Sequence, residues 1–393
     1  MNAKPNTDGA APPSGGAKRH VVLQVLPALV TGGVERGTVD ISAAVAANGW
    51  ESLVASSGGP MVTELERAGV EHITLPLRSK NPLALHRNAG DLAQLIFDRG
   101  VDIVHARSRA PAWSAMSACR RVGRPLITTY HGTYNAQNPF KRWYNSVMAR
   151  GEKVIAISDF IAEHLRARYN VPSSRVVTIH RGVDVELFDP ARTSAERIIQ
   201  LANAWRLPDG VPVVMLPGRL TRWKGQGVLI EALAALGRDD MRCILVGSDQ
   251  GRAHYRRELE RVIARHGLTN IVHIVDHCRD MPAAYMLSDV VISASTDPEA
   301  FGRVAAEAQA MGRPIVATDH GGARETVVPG KTGWLVPAGQ AAPLAAAIGE
   351  ALALDPAARD ALAREAREHV CAHFDVKQMC AATMDVYRQV LAG

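Results

Sequence analysis

The chain has 393 residues, which is too long for one compact core and fits two domains of about 200 residues each. Hydrophobic residues make up 47% and charged residues 21% of the sequence, which excludes an intrinsically disordered chain. Five cysteines are scattered without CxxC or Cys/His spacing, so neither a disulfide framework nor a structural zinc site is indicated. No stretch approaches the ~18 apolar residues of a spanning helix, and residues 1–20 contain no apolar core of a secretory signal. We therefore expect a cytoplasmic protein.

The net charge of +6 lies entirely in the first half of the chain. Residues 1–190 carry 22 Lys and Arg against 16 Asp and Glu, whereas the remainder carries 23 of each. Residues 103–151 contain eight basic residues and no acidic one. Because a surface of one sign attracts partners of the opposite sign, the first half is expected to bind an anionic partner.

The first half reads as a tail followed by an α/β domain. Residues 1–18 are rich in Pro, Gly and Ala without periodicity, which predicts a disordered tail. In residues 19–190, β-branched runs alternate with helical patterns, which predicts a parallel sheet with helices on both faces. The predicted strands are Val21–Leu26, Ser52–Ala55, Val101–His105, Leu126–Thr129 and Lys153–Ile157. The predicted helices are Val34–Ala47, Ala84–Asp98, Ala110–Arg121 and Asp159–Arg168.

Turn and linker residues at Arg181–Arg192 precede a second α/β domain, predicted for residues 191–372. The predicted strands are Val211–Leu216, Cys243–Val246, Ile271–Val275, Val290–Ala294 and Ile315–Ala317. The predicted helices are Thr193–Trp205, Gln226–Ala235, Tyr255–Arg265, Met281–Leu287 and Gly302–Met311, followed by three Ala-rich helices up to Gly393. The predicted fold is therefore α/β, with two doubly wound Rossmann-like domains that face a central cleft at the carboxyl ends of their strands.

The strongest chemical signal is an E-x7-E pattern after a predicted strand. Glu299 falls in a turn and Glu307 lies two turns into the next helix. Carboxylates there can accept hydrogen bonds from sugar hydroxyls, and the amides of Phe301 and Gly302 at the helix start can bind an anion. This pattern suits a nucleotide sugar. The alternative is that Glu299 caps the helix and Glu307 is a solvated helix residue.

Three weaker signals also follow predicted strands. Arg219 and Lys224 lie five residues apart in a glycine-containing loop and can bracket a diphosphate, or they are solvated surface cations. Gly32 and Gly33 let backbone amides approach a phosphate, or form an ordinary tight turn. His131 can donate to a sugar hydroxyl or act near the developing charge, although a structural role is the common one for a lone histidine.

These motifs resemble the retaining glycosyltransferases of family 4, which have the GT-B fold. The resemblance runs from Val21 to the C-terminus and is most specific at E-x7-E, at G-R-x4-K-G, and at the GGARE and GKTGWL segments that begin at Gly321 and Gly330. It implies that residues 19–190 bind the acceptor, that residues 191–372 bind the nucleotide sugar, and that the helix in residues 373–393 packs back on the first domain.

The resemblance also implies the role of each candidate residue. Arg219 and Lys224 would bind the donor diphosphate, Glu299 the transferred sugar, and Glu307 the ribose. The amides of Phe301 and Gly302 would complete the sugar–phosphate pocket; Gly32 and Gly33 would contact the distal phosphate, and His131 would lie beside the sugar. The catalytic set is thus His131, Glu299, Arg219 and Lys224. Asp276–Arg279 stands where a glycine is commoner, which leaves the contacts to the donor base open.

The implied reaction transfers a hexose with retention, because the leaving phosphate helps to deprotonate the acceptor on the same face. It needs a UDP- or GDP-linked sugar as co-substrate and no metal or other cofactor. The implied acceptor is a glycolipid or surface polysaccharide, such as the core of lipopolysaccharide. The alternatives are a non-hydrolysing nucleotide-sugar epimerase and a catalytically silent nucleotide- or glycan-binding protein.

A basic and aromatic segment, residues 138–150, adds a candidate surface. One hypothesis is that it contacts an anionic lipid or a phosphorylated glycolipid at the inner face of the cell membrane. The residues in that hypothesis are Arg107, Arg109, Arg120, Lys141, Arg142 and Trp143. The alternative is that the aromatic residues face the core. No motif for nucleic-acid binding is present, so no nucleic-acid partner is expected.

Overall fold

The computed structural model describes residues 19–30, 32–134, 138–251 and 253–393. The tail predicted for residues 1–18 lies outside this part of the chain. The first sheet contains β1 (Val21–Val25), β2 (Glu51–Ser56), β3 (Glu71–Thr74), β4 (Ile103–Ala106), β5 (Leu126–Tyr130), β6 (Lys153–Ala156) and β7 (Val176–Thr178). The second contains β8 (Val213–Pro217), β9 (Arg242–Val246), β10 (Val272–Val275), β11 (Val290–Ser293), β12 (Ile315–Thr318) and β13 (Trp334–Val336).

Helices connect the strands and cover the sheets. The helices of the first half are α1 (Gly33–Ala47), α2 (Val62–Arg67), α3 (Pro82–Asp98), α4 (Arg109–Val122), α5 (Pro139–Asn145) and α6 (Asp159–Tyr169). Those of the second half are α7 (Ala195–Ala204), α8 (Gln226–Leu236), α9 (Ala253–Arg265), α10 (Met281–Leu287), α11 (Arg303–Ala310), α12 (Ala323–Thr326), α13 (Ala341–Leu352), α14 (Pro356–His373) and α15 (Val376–Ala392). None of the helices described is long and apolar enough to cross a membrane.

Both sheets are parallel and doubly wound, as predicted. Their orders are β3-β2-β1-β4-β5-β6-β7 and β10-β9-β8-β11-β12-β13. The inner strands are buried along their length, as in β1, where all five residues including Gln24 are buried, because helices cover both faces. The order reverses between β1 and β4 and between β8 and β11. Ligands of doubly wound sheets bind at the carboxyl ends of such strand pairs.

The structure contains three edge strands that the sequence pattern did not predict, β3, β7 and β13. Each has only three or four residues. In β3 the sequence EHIT is polar at both ends, because an edge strand is partly solvated and does not need an apolar run.

The last helix, α15, packs on the first sheet. Met384 and Tyr387 are buried in one cluster with Val22 and Ile41. The hydroxyl of Tyr387 lies 2.6 Å from Nδ1 of His105 on β4. The C-terminal segment thus contacts the half of the chain that contains α1.

A second contact joins the halves beside α6. The carboxylate of Glu325 on α12 accepts hydrogen bonds from the amides of Asp159 and Phe160, both at 2.8 Å. Nε2 of His180 lies 2.8 Å from the same carboxylate. The hydroxyl of Ser158 donates to the carbonyl of Ala300 at 2.6 Å. The loop that carries Glu299 is therefore held against the first half.

Candidate active site

Lys224 and Glu299 form an ion pair between the loops after β8 and β11. Nζ of Lys224 donates to Oε1 of Glu299 at 2.5 Å, and the hydroxyl of Ser295 donates to the same oxygen at 2.6 Å. The two charged side chains are 14% and 15% exposed. Oε2 of Glu299 is thus left to accept a hydrogen bond from a ligand hydroxyl.

The loop that carries Lys224 is fixed by a close approach of two backbones. Gly225 has φ 75°, and a Cβ there would lie 1.8 Å from the carbonyl oxygen of Ala294. The amide of Thr296 donates to the carbonyl of Trp223 at 2.7 Å. Nζ of Lys224 lies 4.5 Å from the centre of the Trp223 ring, which is within cation–π range. A glycine is required here because any side chain would collide with the neighbouring strand end.

Glu307 lies on α11 and is only 7% exposed. Oε2 accepts a hydrogen bond from the Tyr285 hydroxyl at 2.8 Å, and Oε1 accepts one from Nε of Arg303 at 2.6 Å. Burial and then the charge of Glu307 raise the pKa of Tyr285 well above its usual range, so Tyr285 is the donor. Each carboxylate oxygen keeps one further lone-pair direction, as a vicinal diol requires.

The start of α11 presents free amides. Phe301 is buried and its ring packs edge-to-face on Phe374, with centroids 5.4 Å apart. Gly302 has φ 90°, and Gly322 donates its amide to the carbonyl of Glu299 at 2.8 Å. The amides of Phe301 and Gly302 have no acceptor among the described residues. The side chain of Phe301 therefore serves packing, while its backbone is available to an anion.

Arg219 and the Gly32–Gly33 pair lie at two other strand ends. The Arg219 side chain is exposed, and its carbonyl accepts a hydrogen bond from Nε2 of Gln226 at 2.9 Å. Gly32 precedes α1, and a Cβ there would lie 2.5 Å from Oε2 of Glu35. A carboxylate of the protein thus occupies the space beside Gly32, and a phosphate that binds there requires Glu35 to move.

His131 follows β5 and contacts an arginine that the sequence pattern did not single out. Nη1 of Arg181 lies 3.1 Å from Nδ1 of His131. Burial, and then the charges of Arg107 and Arg181, lower the pKa of His131 well below its usual range. Because guanidinium groups only donate, Nδ1 accepts and Nε2 carries the proton. Nε2 is buried without a partner in the part of the chain that is described, so it can donate to a ligand hydroxyl.

Arg107, predicted for the acceptor or membrane surface, does not lie on the exposed surface of the protein. It is 2% exposed, because it follows β4 and lies beneath α1. Arg109 is half-buried; it donates to Oδ1 of Asn145 at 2.8 Å and lies 4.2 Å from the centre of the Tyr134 ring. Arg120 is exposed at the end of α4.

The remaining residues of that surface lie on α5. Lys141 and Arg142 are exposed, and 52% of Trp143 is exposed. Its ring stacks on Trp113, with centroids 4.5 Å apart. Beside it, Phe140 is 72% exposed. The aromatic residues of α5 therefore do not all face the core.

Several residues that support the site escaped the sequence analysis. Arg181 was interpreted as part of a linker, although it lies between a strand end and a glycine, as the other site residues do. Tyr285 and Arg303 hold Glu307 from two helices. The i, i+4 spacing of Arg303 and Glu307 could have predicted their ion pair. No local pattern could have found Tyr285, which is 22 residues away.

Comparison with known proteins agrees with this architecture. A Glycosyltransferase Family 4 model matches residues 31–187, and a Glycosyl transferases group 1 model matches residues 198–369. The chain is 30% identical to D-inositol 3-phosphate glycosyltransferase from Xylanimonas cellulosilytica, over 91% of this chain and 92% of that protein. The chain therefore belongs to Glycosyltransferase Family 4.

Two solved structures show the same two-domain arrangement. A glycosyltransferase from Rickettsia africae, known from its crystal structure, is 38% identical to this chain, with a TM-score of 0.88. The match covers 95% of this chain and 99% of that protein's chain. HepE from Anabaena, in complex with UDP-glucose, is 26% identical, with a TM-score of 0.82 over 94% of this chain and 99% of its own. The protein is thus a GT-B glycosyltransferase that uses a nucleotide sugar, and the transferase is favoured over the epimerase and the silent binding protein. The curated relatives are named for inositol phosphate, so they do not identify a lipopolysaccharide acceptor.

Proposed function

We propose that this enzyme transfers a hexose from a UDP-sugar, with retention of configuration and without a metal ion, to a glycolipid or surface-polysaccharide acceptor. The observation that carries the proposal is the ion pair of Lys224 with Glu299 beside a buried Glu307. It combines a cation for the diphosphate with carboxylates for the sugar and the ribose. UDP is the first choice because HepE, the relative described above, binds UDP-glucose.

In the proposed reaction, Arg219 and Lys224 neutralise the charge that develops on the departing diphosphate, a task that a metal ion performs in other enzymes. Glu299 accepts a hydrogen bond from the transferred sugar through its free oxygen, and Nε2–H of His131 donates one. The acceptor oxygen attacks C1 on the face from which UDP departs. Its proton passes to the leaving phosphate oxygen, so no pair of acid and base carboxylates is needed.

The test combines nucleotide binding with product analysis. Thermal unfolding of the protein is measured with UDP, GDP and ADP. A nucleotide that binds stabilises the folded state by about 4 kcal/mol at 1,000-fold over its dissociation constant, whereas a nucleotide that does not bind leaves the unfolding temperature unchanged. We expect stabilisation by UDP, loss of that stabilisation in Glu307→Ala, and an α-linked product from an α-linked donor in NMR spectra. A product of inverted configuration contradicts retention. Failure of all three nucleotides contradicts the donor site.

An apolar groove supports an acceptor that is attached to a membrane. It has a volume of about 620 Å³ and runs between α3, α4 and α5, with Trp113 and Trp143 in its wall. Phe140, which lines the groove, is 72% exposed. Lys80 lines the groove, and Lys141 and Arg142 are exposed on α5. Apolar side chains on a face that also carries cations match a surface of anionic lipid. We therefore propose that the enzyme acts at the inner face of the cell membrane.

Co-sedimentation with vesicles of phosphatidylcholine and phosphatidylglycerol tests this surface. We expect Trp143→Ala and Phe140→Ala to reduce the bound fraction. Phe97→Ala is the matched control, because Phe97 is equally exposed, at 76%, but lies at the far end of α3 and outside the groove. Binding that does not depend on phosphatidylglycerol, or that Phe97→Ala reduces equally, contradicts the membrane surface.

Within the acceptor class, the lipopolysaccharide core is the acceptor that we propose first. A phosphorylated polyol is the second candidate, because the curated relative described above is named for D-inositol 3-phosphate. Transfer assays with deacylated lipopolysaccharide core and with D-inositol 3-phosphate distinguish the two. Turnover of D-inositol 3-phosphate alone overturns the first choice.

A further inference from the structure

Two buried arginines lie side by side beneath α1. Arg107 is 2% exposed and Arg181 is 7% exposed. A Cβ on Gly37 would lie 2.7 Å from Nη2 of Arg181 and 3.0 Å from Nη2 of Arg107. Gly37 therefore leaves the space in which both guanidinium groups pack against the helix. We call Arg107 and Arg181 the arginine pair.

The arginine pair touches no carboxylate within the described residues. Nε and Nη1 of Arg107 are buried without a hydrogen-bond partner, and Arg181 bonds only to Nδ1 of His131. Asp40 and Glu35 act on Arg181 only beyond ion-pair distance. Burial, and then the charge of Arg107, lower the pKa of Arg181 to about 9. Buried charges are costly unless they are paired, so an anion from outside the chain would stabilise this arrangement.

The position of the pair in the first sheet favours the acceptor as the substrate that brings this anion. Arg107 follows β4 and Arg181 follows β7, both in the first sheet, whereas the cations proposed for the donor diphosphate follow β8 in the second. A UDP-hexose has no anionic group other than its diphosphate. His131 and Gly33, which lie beside the pair, are only partly buried.

We propose that the arginine pair binds an anionic group of the acceptor, a phosphate monoester or a carboxylate. This inference rests on the proposed function, because it assigns the donor diphosphate to Arg219 and Lys224. Guanidinium groups bind both kinds of anion through two parallel hydrogen bonds, which fixes orientation as well as position. The anion thus orients the acceptor so that a neighbouring hydroxyl faces the donor sugar beside His131.

Thermal unfolding with inorganic phosphate, D-inositol 3-phosphate and unmodified inositol tests the site at saturating UDP and constant ionic strength. We expect phosphate and inositol 3-phosphate, but not inositol, to raise the unfolding temperature. Arg181→Met weakens the phosphate response by about 10- to 100-fold, as expected for the loss of charge-assisted hydrogen bonds, and leaves the UDP response unchanged. The ligand-free variant is at least as stable as the wild type, because an unpaired buried charge has been removed.

Arg313→Met is the matched control. Arg313 is half-buried in the second half of the chain, and its Nη1 donates to the carbonyl of Ser288 at 3.5 Å. Its replacement is expected to leave the phosphate response unchanged. Arg107→Met removes the same site from a second strand, so the test does not depend on one variant folding.

Four results separate the alternatives. An unchanged phosphate response in both arginine-pair variants overturns the proposal. Equal weakening of UDP and phosphate also overturns it, because the pair is then part of the donor diphosphate site. If the arginine-pair variants lose binding of UDP-glucuronate but keep binding of UDP-glucose, the anion belongs to the donor sugar. This result also overturns the proposal. Stabilisation of the wild type by phosphate but not by UDP refutes the proposed donor, yet supports the anion site.

Discussion

The two sides of the cleft differ in how their charges are paired. On the donor side, formed by the loops after β8 and β11 and by α11, Lys224 contacts Glu299 and Arg303 contacts Glu307. On the acceptor side, formed by the strand ends around β4, β5 and β7, the arginine pair contacts no carboxylate of the residues that the structure describes. Paired carboxylates are held in place to accept hydrogen bonds from neutral hydroxyls, whereas unpaired buried cations are stabilised only when an anion arrives. The difference indicates which kind of group each side binds.

Removal of Lys224 is expected to have the largest effect. Lys224→Ala leaves Glu299 without its cation and the departing diphosphate without a charge partner, so kcat falls about 10²- to 10³-fold. Steady-state release of UDP from the donor measures this. Arg222→Ala is the matched control, because Arg222 belongs to the same 3-10 turn but pairs with the exposed Glu258. Equal losses in both variants contradict a specific role for Lys224.

A methyl group on Gly225 disturbs the donor side alone. Gly225→Ala combines a left-handed conformation with a collision against Ala294, so we expect a loss of about 3 kcal/mol in unfolding free energy and weaker UDP binding. Gly237→Ala has the same backbone conformation, with φ 66° and no atom within 4 Å, and should lose only about 1 kcal/mol. Urea unfolding measures both. Loss of phosphate binding in Gly225→Ala would show that the donor side and the acceptor side form one site, and would contradict their separation.

Tyr285 is expected to have a smaller, positioning effect. Tyr285→Phe removes one hydrogen bond from the buried Glu307, which costs about 1 kcal/mol and weakens UDP binding less than tenfold. Calorimetric titration of UDP provides the measurement, and Tyr255→Phe, which loses a 3.3 Å hydrogen bond to Gln226, is the control. A loss as large as that in Glu307→Ala would mean that Tyr285 itself contacts the donor.

The smallest expected effect is the pH dependence of the contact between the halves. The hydrogen bond with Glu325 raises the pKa of His180 above 6.5 in the folded state. Burial opposes ionisation of Glu325, but bonds from His180 and the α6 amides lower its pKa below 4.5. The His180 contribution is complete below its unfolded pKa and is lost as pH rises through the folded one; that of Glu325 is lost at low pH.

The contact therefore stabilises most between about pH 4.5 and 6.5. The wild type is expected to exceed His180→Gln in unfolding temperature at pH 5.5 by more than at pH 8. A difference that grows with pH contradicts the assignment. Because both sides of the cleft depend on how the halves meet, this measurement also tests their relative placement.

The sequence predicted the fold and the positions of the donor-side motifs because both depend on local patterns. Apolar strands and helical periods identified two parallel sheets, and E-x7-E placed Glu299 and Glu307 after a strand. It did not predict β3, β7 or β13, because edge strands of three or four residues are too short to show a pattern. It assigned Arg107 to the surface and Arg181 to a linker, because burial of a charged residue depends on how α1 and the strand ends pack in three dimensions.

A crystal structure with UDP and inorganic phosphate tests the central claim most directly. We predict the ribose on Glu307, the diphosphate at Arg219 and Lys224, and a separate phosphate on Arg107 and Arg181. The opposite result is a diphosphate bound to the arginine pair, with no ligand at the ion pair of Lys224 and Glu299. That result would contradict the division of the cleft into a donor side and an acceptor side.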